Sequence, residues 1–149
     1  MTARNRPHIC MRCGSKEIKV NHYSDVLDFR GLTLEVDGLA ETACVNCDLR
    51  WTTDGQEADN QRILKDAFGL KRDALRAKEG LLSGPEIEQA LLLLGLKKAD
   101  AAELFGGGPN AFAKYIAGDV LQSVAMDRLI RLTYYFQQPA LLFLRGAKG

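Results

Sequence analysis

The 149-residue sequence has no long apolar run and no excess of charge of either sign. The apolar stretch at residues 90–96 is far shorter than the ~20 residues that cross a bilayer. The basic N-terminus has no apolar segment of the kind found in secretory signals. Twenty basic residues stand against 19 acidic ones, which gives a net charge of +1. We therefore expect a cytoplasmic protein without a membrane span, built from one domain or two small ones.

Cysteine is absent after residue 47, and the four cysteines that occur form two pairs, Cys10-Met-Arg-Cys13 and Cys44-Val-Asn-Cys47. Because cytoplasmic thiols stay reduced, these pairs need an explanation other than disulfides. Two Cys-x-x-Cys motifs at a separation of about 30 residues can supply the four ligands of a tetrahedral metal site. A redox pair would need only one such motif, near a βαβ pattern that this sequence does not have.

Zn²⁺ is the metal that this ligand set predicts, because zinc prefers four thiolates and needs no redox partner. A rubredoxin-like iron site is the alternative, since iron also accepts four thiolates. Four protein ligands leave no open coordination position, so we expect one structural Zn²⁺ per chain and no enzymatic activity. With four cysteines at hand, His8 and His22 are expected to be ordinary surface or loop residues.

Between the two cysteine pairs the sequence has strand patterns. Residues 16–20 alternate loosely, and Leu32, Leu34 and Val36 fall on one face of a cleanly alternating run. A module of this size builds little hydrophobic core, so metal binding would contribute much of its folding energy. The pattern predicts a small zinc ribbon with short β-strands over residues 1–52.

A helical linker is predicted over residues 53–83, since apolar residues from about position 58 approximate helical spacing. Gly69 is expected to weaken or kink the middle of this helix. Ser83 can cap the next helix, and Pro85 suits a first helical turn.

The remaining residues, 84–149, predict an all-α domain of about five short helices separated by glycines, so the fold class is α+β. The predicted helices span residues 85–94, 97–105, 109–117, 123–137 and 139–144. The second and third of them flank Gly106–Gly108, a pattern typical of a helix-turn-helix. These glycines do not form a phosphate-binding loop, because no strand precedes them and no Lys-Ser/Thr follows.

If Phe112 is the apolar anchor of the second helix, then Asn110, Ala113 and Lys114 face outward. An asparagine can hydrogen-bond an adenine edge at two atoms, and a lysine can reach guanine or phosphate. Lys97 and Lys98 open the supporting helix, where the backbone of a DNA duplex would pass. The candidate DNA-binding residues are therefore Asn110, Lys114, Lys97, Lys98, Ala113 and Tyr115. Any all-α domain has helices joined by glycines, so a purely structural helix pair is the alternative.

Two segments resemble the MqsA (YgiT-type) antitoxin family. The segment Glu103–Tyr115, with its triple glycine, Asn-Ala-Phe, basic residue and Tyr115, is similar to the C-terminal helix-turn-helix of that family, as is Gly118. The two cysteine pairs, with Phe29-Arg30-Gly31 between them, are similar to its zinc domain. The resemblance covers about residues 8–52 and 84–136, and the linker matches poorly.

The resemblance implies a dimeric, zinc-containing antitoxin of a type II toxin–antitoxin system that binds a palindromic operator in its own promoter. The base-reading asparagine of the family falls on Asn110, and its base-reading arginine falls on Lys114. The lysine departs from the family, since it lacks the two-pronged guanidinium fork. Lys98 replaces a glutamine that commonly touches phosphate. Ile116 stands where an acidic residue is usual.

In the family's best-known member the zinc domain binds the toxin. We expect the partner surface on the strand carrying Leu32, Leu34 and Val36, next to Phe29 and Arg30, through edge pairing or side-chain contact. A transcriptional regulator of the same build with no toxin partner is a second hypothesis, and a rubredoxin-like iron protein is a third.

Aromatic and aliphatic bulk is concentrated near the C-terminus. Tyr135, Phe136, Leu142 and Phe143 are the residues from which we predict a homodimer, and simple core packing is the alternative. A two-fold dimer would present two recognition helices about one DNA turn apart.

Overall fold

The computed structural model of the protein describes residues 9–147, so His8 and the basic N-terminal residues lie outside the described residues. Within these described residues, three strands are followed by six helices, which confirms the α+β class. The elements are β1 (Ile18–Phe29), β2 (Leu32–Cys44), β3 (Arg50–Trp51), α1 (Asp54–Glu79), α2 (Gly84–Leu93), α3 (Lys98–Phe105), α4 (Ala111–Ala117), α5 (Val124–Phe136) and α6 (Gln138–Ala147). None of the described helices combines the length and the apolar character that crossing a bilayer demands.

The chain forms two compact units, with the division between Lys71 and Arg72. We call residues 9–71 the N-terminal unit and residues 72–147 the C-terminal unit. Helix α1 contributes its first part to one unit and its last turns to the other. The helix runs without interruption through Gly69, the residue expected to weaken or kink it. One glycine costs a helix about 1 kcal/mol, and the residues beside it include Phe68, a buried core residue.

A long antiparallel hairpin dominates the N-terminal unit. Strand β1 pairs with β2 from Ile18 opposite Cys44 to Phe29 opposite Leu32, and β3 adds a short third strand in the order β1-β2-β3. The turn at Arg30-Gly31 has positive φ at both residues, the geometry of a two-residue hairpin turn.

Both strands of this hairpin are much longer than the sequence pattern predicts. Strand β1 has 12 residues and β2 has 13, against the five-residue runs expected at 16–20 and 32–36. Most of β1 is exposed, so its sequence does not alternate between apolar and polar residues. Without that alternation the strand has no period-two signal for a sequence pattern to detect.

The core of the N-terminal unit lies between β2 and α1. Leu34, Val36 and Leu39 of β2 are buried together with Leu64 and Phe68 of α1. The alternation of Leu34 and Val36 with exposed neighbours confirms the predicted buried face of this strand. Burying these side chains together is the main apolar contribution to this unit besides its cysteine cluster.

The C-terminal unit is all-helical, as expected. Helix α2 begins with a capping box: the Ser83 hydroxyl accepts the Glu86 N–H at 3.3 Å, and a Glu86 carboxylate oxygen accepts the Ser83 N–H at 3.0 Å. Helix α4 begins at Ala111, two residues later than predicted, because Pro109 and Asn110 form a turn.

The core of the C-terminal unit is centred on Phe112, which is completely buried. Its ring contacts that of Phe105 at a centroid distance of 5.6 Å. The other buried members of this core are Ile87, Ala90, Leu91, Ala101, Ala102, Ala111 and Ile130. Phe112 is therefore the apolar anchor of α4, as the sequence predicts.

Candidate metal centre and nucleic-acid interface

The fold brings all four cysteines to one end of the sheet. Cys10 and Cys13 lie in the turn before β1, Cys44 ends β2, and Cys47 lies in the turn before β3. Their sulfur atoms all lie within 4.8 Å of one another. The Sγ–Sγ distance is 3.5 Å between Cys10 and Cys47 and 3.6 Å between Cys13 and Cys44. Tetrahedral zinc with Zn–S bonds of about 2.3 Å needs sulfurs about 3.8 Å apart, so the cluster fits such an ion.

Both cysteine pairs are built on the same tight turn. The N–H of Gly14 donates to the Cys10 carbonyl at 2.9 Å, and the N–H of Asp48 donates to the Cys44 carbonyl at 3.1 Å. Gly14 and Asp48 each directly follow the second cysteine of their pair, and both have positive φ. The repeated turn places two sulfurs of each pair side by side, which is the reason for the Cys-x-x-Cys spacing.

Local hydrogen bonds favour the thiolate form of the exposed ligand. The pKa of the Cys13 thiol is lowered to about 6, because the Asn46 side-chain amide and then the Ser15 N–H donate to its sulfur. The pKa of Cys47 is raised to about 11: the Leu49 N–H lowers it, but burial and the three neighbouring thiols raise it by more. Metal ligation requires thiolates, and a divalent cation offsets the repulsion among them.

The donor set is four sulfurs and nothing else. Among the described residues, the group that could hold a metal ion contains no histidine, and His22 lies on β1 outside it. Cys10 and Cys44 are buried, Cys47 is half-buried and Cys13 is exposed. A complete shell of protein ligands is typical of a structural site.

Helices α3 and α4 form a second candidate site in the C-terminal unit. The connecting residues Gly106, Gly107 and Gly108 all have φ between 92° and 96°, a conformation that favours glycine. A Cβ on Gly107 would lie 3.1 Å from the Ala111 Cβ and 3.3 Å from the Tyr115 hydroxyl. The glycines therefore allow a tight reversal between the two helices.

One side of α4 is open to solvent while Phe112 anchors the other. The exposed residues are Asn110, Ala113, Lys114 and Ala117. Asn110 precedes the helix and its side chain makes no capping hydrogen bond. Lys97 and Lys98 are exposed at the start of α3. Tyr115 is half-buried, and its ring packs edge-on against Phe112 at 5.4 Å.

Comparison with known proteins decides the family of this chain. The family described as "Antitoxin component of bacterial toxin-antitoxin system, MqsA" matches residues 8–143. The chain belongs to the MqsA antitoxin family. It is also 30% identical over 106 residues to Antitoxin MqsA of Escherichia coli (strain K12), an alignment that covers 70% of this chain and 75% of that protein. The family match over residues 8–143 includes both the cysteine cluster and the α3–α4 pair.

In this MqsA-family chain, most of the side chains predicted to contact a partner belong to the core. Leu34 and Val36 are only 2% and 3% exposed, beneath α1. Phe29 and Leu32 are half-buried, and the Arg30 guanidinium lies over the rings of Phe29 and Phe68 at 5.1 and 5.6 Å. Side-chain contact through Leu34 and Val36 is thus closed off, which leaves backbone pairing or β1 as the route to a partner.

The residues predicted to form a dimer are exposed on α5 and α6. Tyr135, Phe136, Leu142 and Phe143 expose 79%, 54%, 65% and 74% of their surface, so core packing does not explain them. Tyr135 also lines a groove of about 370 Å³ between α2 and α5, whose walls include Leu93, Ile130 and Tyr134. These exposed apolar side chains lie on the consecutive helices α5 and α6, and the rings of Tyr135 and Phe136 are in edge-on contact at 5.0 Å.

Proposed function

We propose that this protein is an autoregulating antitoxin that binds its own operator through α3 and α4 and binds a toxin through its N-terminal unit. One observation supports the proposed DNA binding: Asn110 and Lys114 are exposed on the outward face of α4, beside the buried anchor Phe112. Membership in the MqsA antitoxin family supports the toxin-binding part.

The chemistry of α4 suits the major groove of DNA. An exposed Asn110 amide can hydrogen-bond both N6 and N7 of adenine, and the Lys114 ammonium can donate to guanine or to a phosphate. Lys97 and Lys98 at the start of α3 supply positive charge beside a helix N-terminus, where phosphate oxygens are stabilised. The small Ala113 lets the helix approach the base edges closely.

The metal centre supports the fold of the N-terminal unit in this proposal. Cys10, Cys13, Cys44 and Cys47 would hold one Zn²⁺, whose four thiolates leave no position for a substrate. We further propose that residues 1–52 form the toxin-binding domain, residues 53–83 the linker, and residues 84–149 the DNA-binding and dimerisation domain.

The open edge of β1 is the surface we propose for the toxin. In the described sheet β1 pairs only with β2, so its other edge, 12 residues long, has no strand partner. On that edge the Val26 N–H donates to the Asp25 carboxylate at 2.8 Å. Residues 20–41 carry five acidic side chains and one basic side chain. A partner strand flanked by basic side chains would fit this edge, through backbone pairing combined with charge complementarity.

A homodimer would complete the DNA-binding unit. The apolar surface of Tyr135, Phe136, Leu142 and Phe143 is the one we propose to be buried between two copies. A two-fold axis there would place two copies of α4 on successive half-sites of a palindromic operator. Doubling the footprint also doubles the small positive charge that each chain offers to DNA.

Binding to the DNA directly upstream of this gene tests the proposal. We expect the wild type to bind that DNA more tightly than a random duplex of equal length. Asn110→Ala and Lys114→Ala should each weaken specific binding by ~1–3 kcal/mol and change random binding little. Lys78→Ala removes a lysine, as Lys114→Ala does, from an exposed position on α1, and it serves as the matched control for that variant.

The outcomes separate the hypotheses. Tight binding that depends on Asn110 would establish an autorepressor. A folded, metal-loaded protein with no preference for the upstream DNA would show that the α3–α4 pair is structural here. Co-purification with the protein encoded beside this gene then distinguishes an antitoxin from a regulator that has no toxin.

A further inference from the structure

The C-terminal end of α4 is held by residues from outside the helix pair. Gly118 ends the helix in a left-handed conformation with φ of 79°. The N–H groups of Gly118 and Asp119 both turn back to the carbonyl oxygen of Lys114, the latter at 2.9 Å. The backbone of Lys114, the residue expected to reach the bases, is therefore fixed by the conformation of this cap.

Arg72 holds that cap from α1. Its Nη1 donates to the Gly118 carbonyl oxygen at 2.8 Å, and its Nε donates to Asp73 at 2.9 Å. The Arg72 side chain is only 24% exposed. A Cβ on Gly118 would lie 3.0 Å from Arg72 Nη1, so the glycine gives the guanidinium room to approach.

A second contact limits where α4 can lie. Gly84, the first residue of α2, is buried against the carbonyl oxygen of Ile116 in the last turn of α4. Even a methyl group on Gly84 would overlap that oxygen. The end of α4 is thus fixed by van der Waals contact with Gly84 and by hydrogen bonding to Arg72.

From this geometry, and resting on the proposed operator binding, we propose that Arg72 is a positioning residue for sequence recognition. It holds the Gly118 cap, and through the cap the backbone of Lys114, so that the Lys114 side chain faces the base pairs. No sequence motif marks Arg72. The charge-assisted hydrogen bond to a backbone carbonyl is of the stronger class.

The test compares Arg72→Ala with Arg72→Lys and with Lys71→Ala, which removes the same charge from the adjacent exposed position. Each variant is titrated with the upstream DNA and with random DNA at several salt concentrations. We expect Arg72→Ala to bind the upstream DNA about tenfold more weakly, the scale of one hydrogen bond from a charged donor. Arg72→Lys should recover part of the loss, because an ammonium can still donate to Gly118.

Two further readouts separate positioning from direct phosphate contact. A positioning residue leaves random binding and the salt dependence of log K unchanged, whereas loss of a phosphate contact lowers the slope by about 1. In a Lys114→Ala background, Arg72→Ala should have little additional effect, since the two substitutions act on one interaction. A melting temperature within a few degrees of wild type would show that the variants are folded.

If the wild type binds the upstream DNA specifically and Arg72→Ala binds it with the same affinity, this inference is overturned and the proposed function stays intact. Equal weakening on both DNAs with a lower salt slope would also overturn it, because Arg72 would then contact phosphate itself. A wild type without specific binding would overturn both the proposed function and the role of Arg72.

Discussion

The side chain of Asn60 hydrogen-bonds both backbone polar groups of Ala40, as a neighbouring strand would. Its Nδ2 donates to the Ala40 carbonyl oxygen at 2.9 Å, and its Oδ1 accepts the Ala40 N–H at 2.8 Å. Asn60 lies on α1 and is 7% exposed. Beyond the short strand β3, a helix side chain therefore closes the β2 edge at Ala40.

Asn60→Ala should destabilise the N-terminal unit by about 1–3 kcal/mol, because two buried backbone groups lose their partners. Trp51 is the only tryptophan and lies on β3, so its fluorescence during urea unfolding reports this unit. Lys65→Ala, on an exposed position of the same helix, should change the free energy of unfolding by less than about 0.5 kcal/mol. Equal stability of the Asn60 variant and the control would contradict the role of this bond pair.

The cysteine cluster leads to a prediction about metal content. Purified protein should contain about one metal ion per chain, and elemental analysis would identify it. A colourless zinc protein would remove the rubredoxin-like alternative, while a red iron protein would support it. Cys44→Ser should abolish the metal and the native Trp51 fluorescence, because its sulfur is fully buried in the cluster. Ser15→Ala, at a half-buried position whose hydroxyl accepts the Glu17 N–H, is the control.

The open edge of β1 can be blocked without touching the β1–β2 ladder. The Arg30-Gly31 turn makes Phe29 and Leu32 a hydrogen-bonded pair. The N–H groups of β1 therefore point alternately toward β2 and toward the open edge, and the Val26 N–H points toward the open edge. Val26→Pro removes this N–H and its exposed hydrogen bond to the Asp25 carboxylate, a loss that an edge strand tolerates. We expect the variant to keep its metal but to lose at least tenfold in affinity for the protein encoded beside this gene.

Val26→Ala is the control, since it shortens the same exposed side chain and keeps the N–H. If both variants bind the adjoining gene's product as wild type does, the partner does not pair with β1. If the alanine variant weakens binding as much as the proline variant does, side-chain contact rather than backbone pairing is responsible.

The sequence predicted those features that depend on local spacing. The two Cys-x-x-Cys turns, the glycine-separated helices and the buried anchor Phe112 all follow from residues close together in the chain. The partner of Leu34 and Val36 could not be predicted, because Leu64 and Phe68 lie about 30 residues further on, in a segment predicted only as a helical linker. The roles of Asn60 and Arg72 could not be predicted for the same reason. Each side chain hydrogen-bonds the backbone of a residue far away in the sequence, and such a contact leaves no periodic pattern in the sequence.

The apolar surface on α5 and α6 predicts a change in oligomeric state. Tyr135→Glu combined with Phe143→Glu should convert a dimer into a monomer, because each charge would have to be buried in the interface. Sedimentation velocity measures the mass directly. Leu70→Glu, which alters an equally exposed apolar residue on α1, should leave the mass unchanged. A wild type that sediments as a monomer at micromolar concentration would contradict the proposed dimer.

Asp127 predicts how the stability of the C-terminal unit depends on pH. Its side chain is 4% exposed and accepts hydrogen bonds from the Leu82 N–H and from Arg131, both at 2.7 Å. Arg131 also donates to the Gly80 carbonyl oxygen at 2.7 Å. Burial raises the pKa of Asp127, but these hydrogen bonds and that from Gln122 lower it by more, so the net shift is downward.

A carboxyl whose pKa is lower in the folded state stabilises that state fully above its ordinary pKa of 3.8. The contribution is lost as the pH falls through the lower folded pKa, because both states are then protonated. Asp127→Asn should therefore cost about 1–3 kcal/mol near neutral pH, and the difference from wild type should shrink below about pH 4. Urea unfolding followed by helical circular dichroism measures this. Glu88→Gln, at an exposed position of α2, is the control, and its difference in unfolding free energy from wild type should not shrink at low pH. If the difference between wild type and Asp127→Asn stays constant down to about pH 2, packing rather than charge explains the loss of stability.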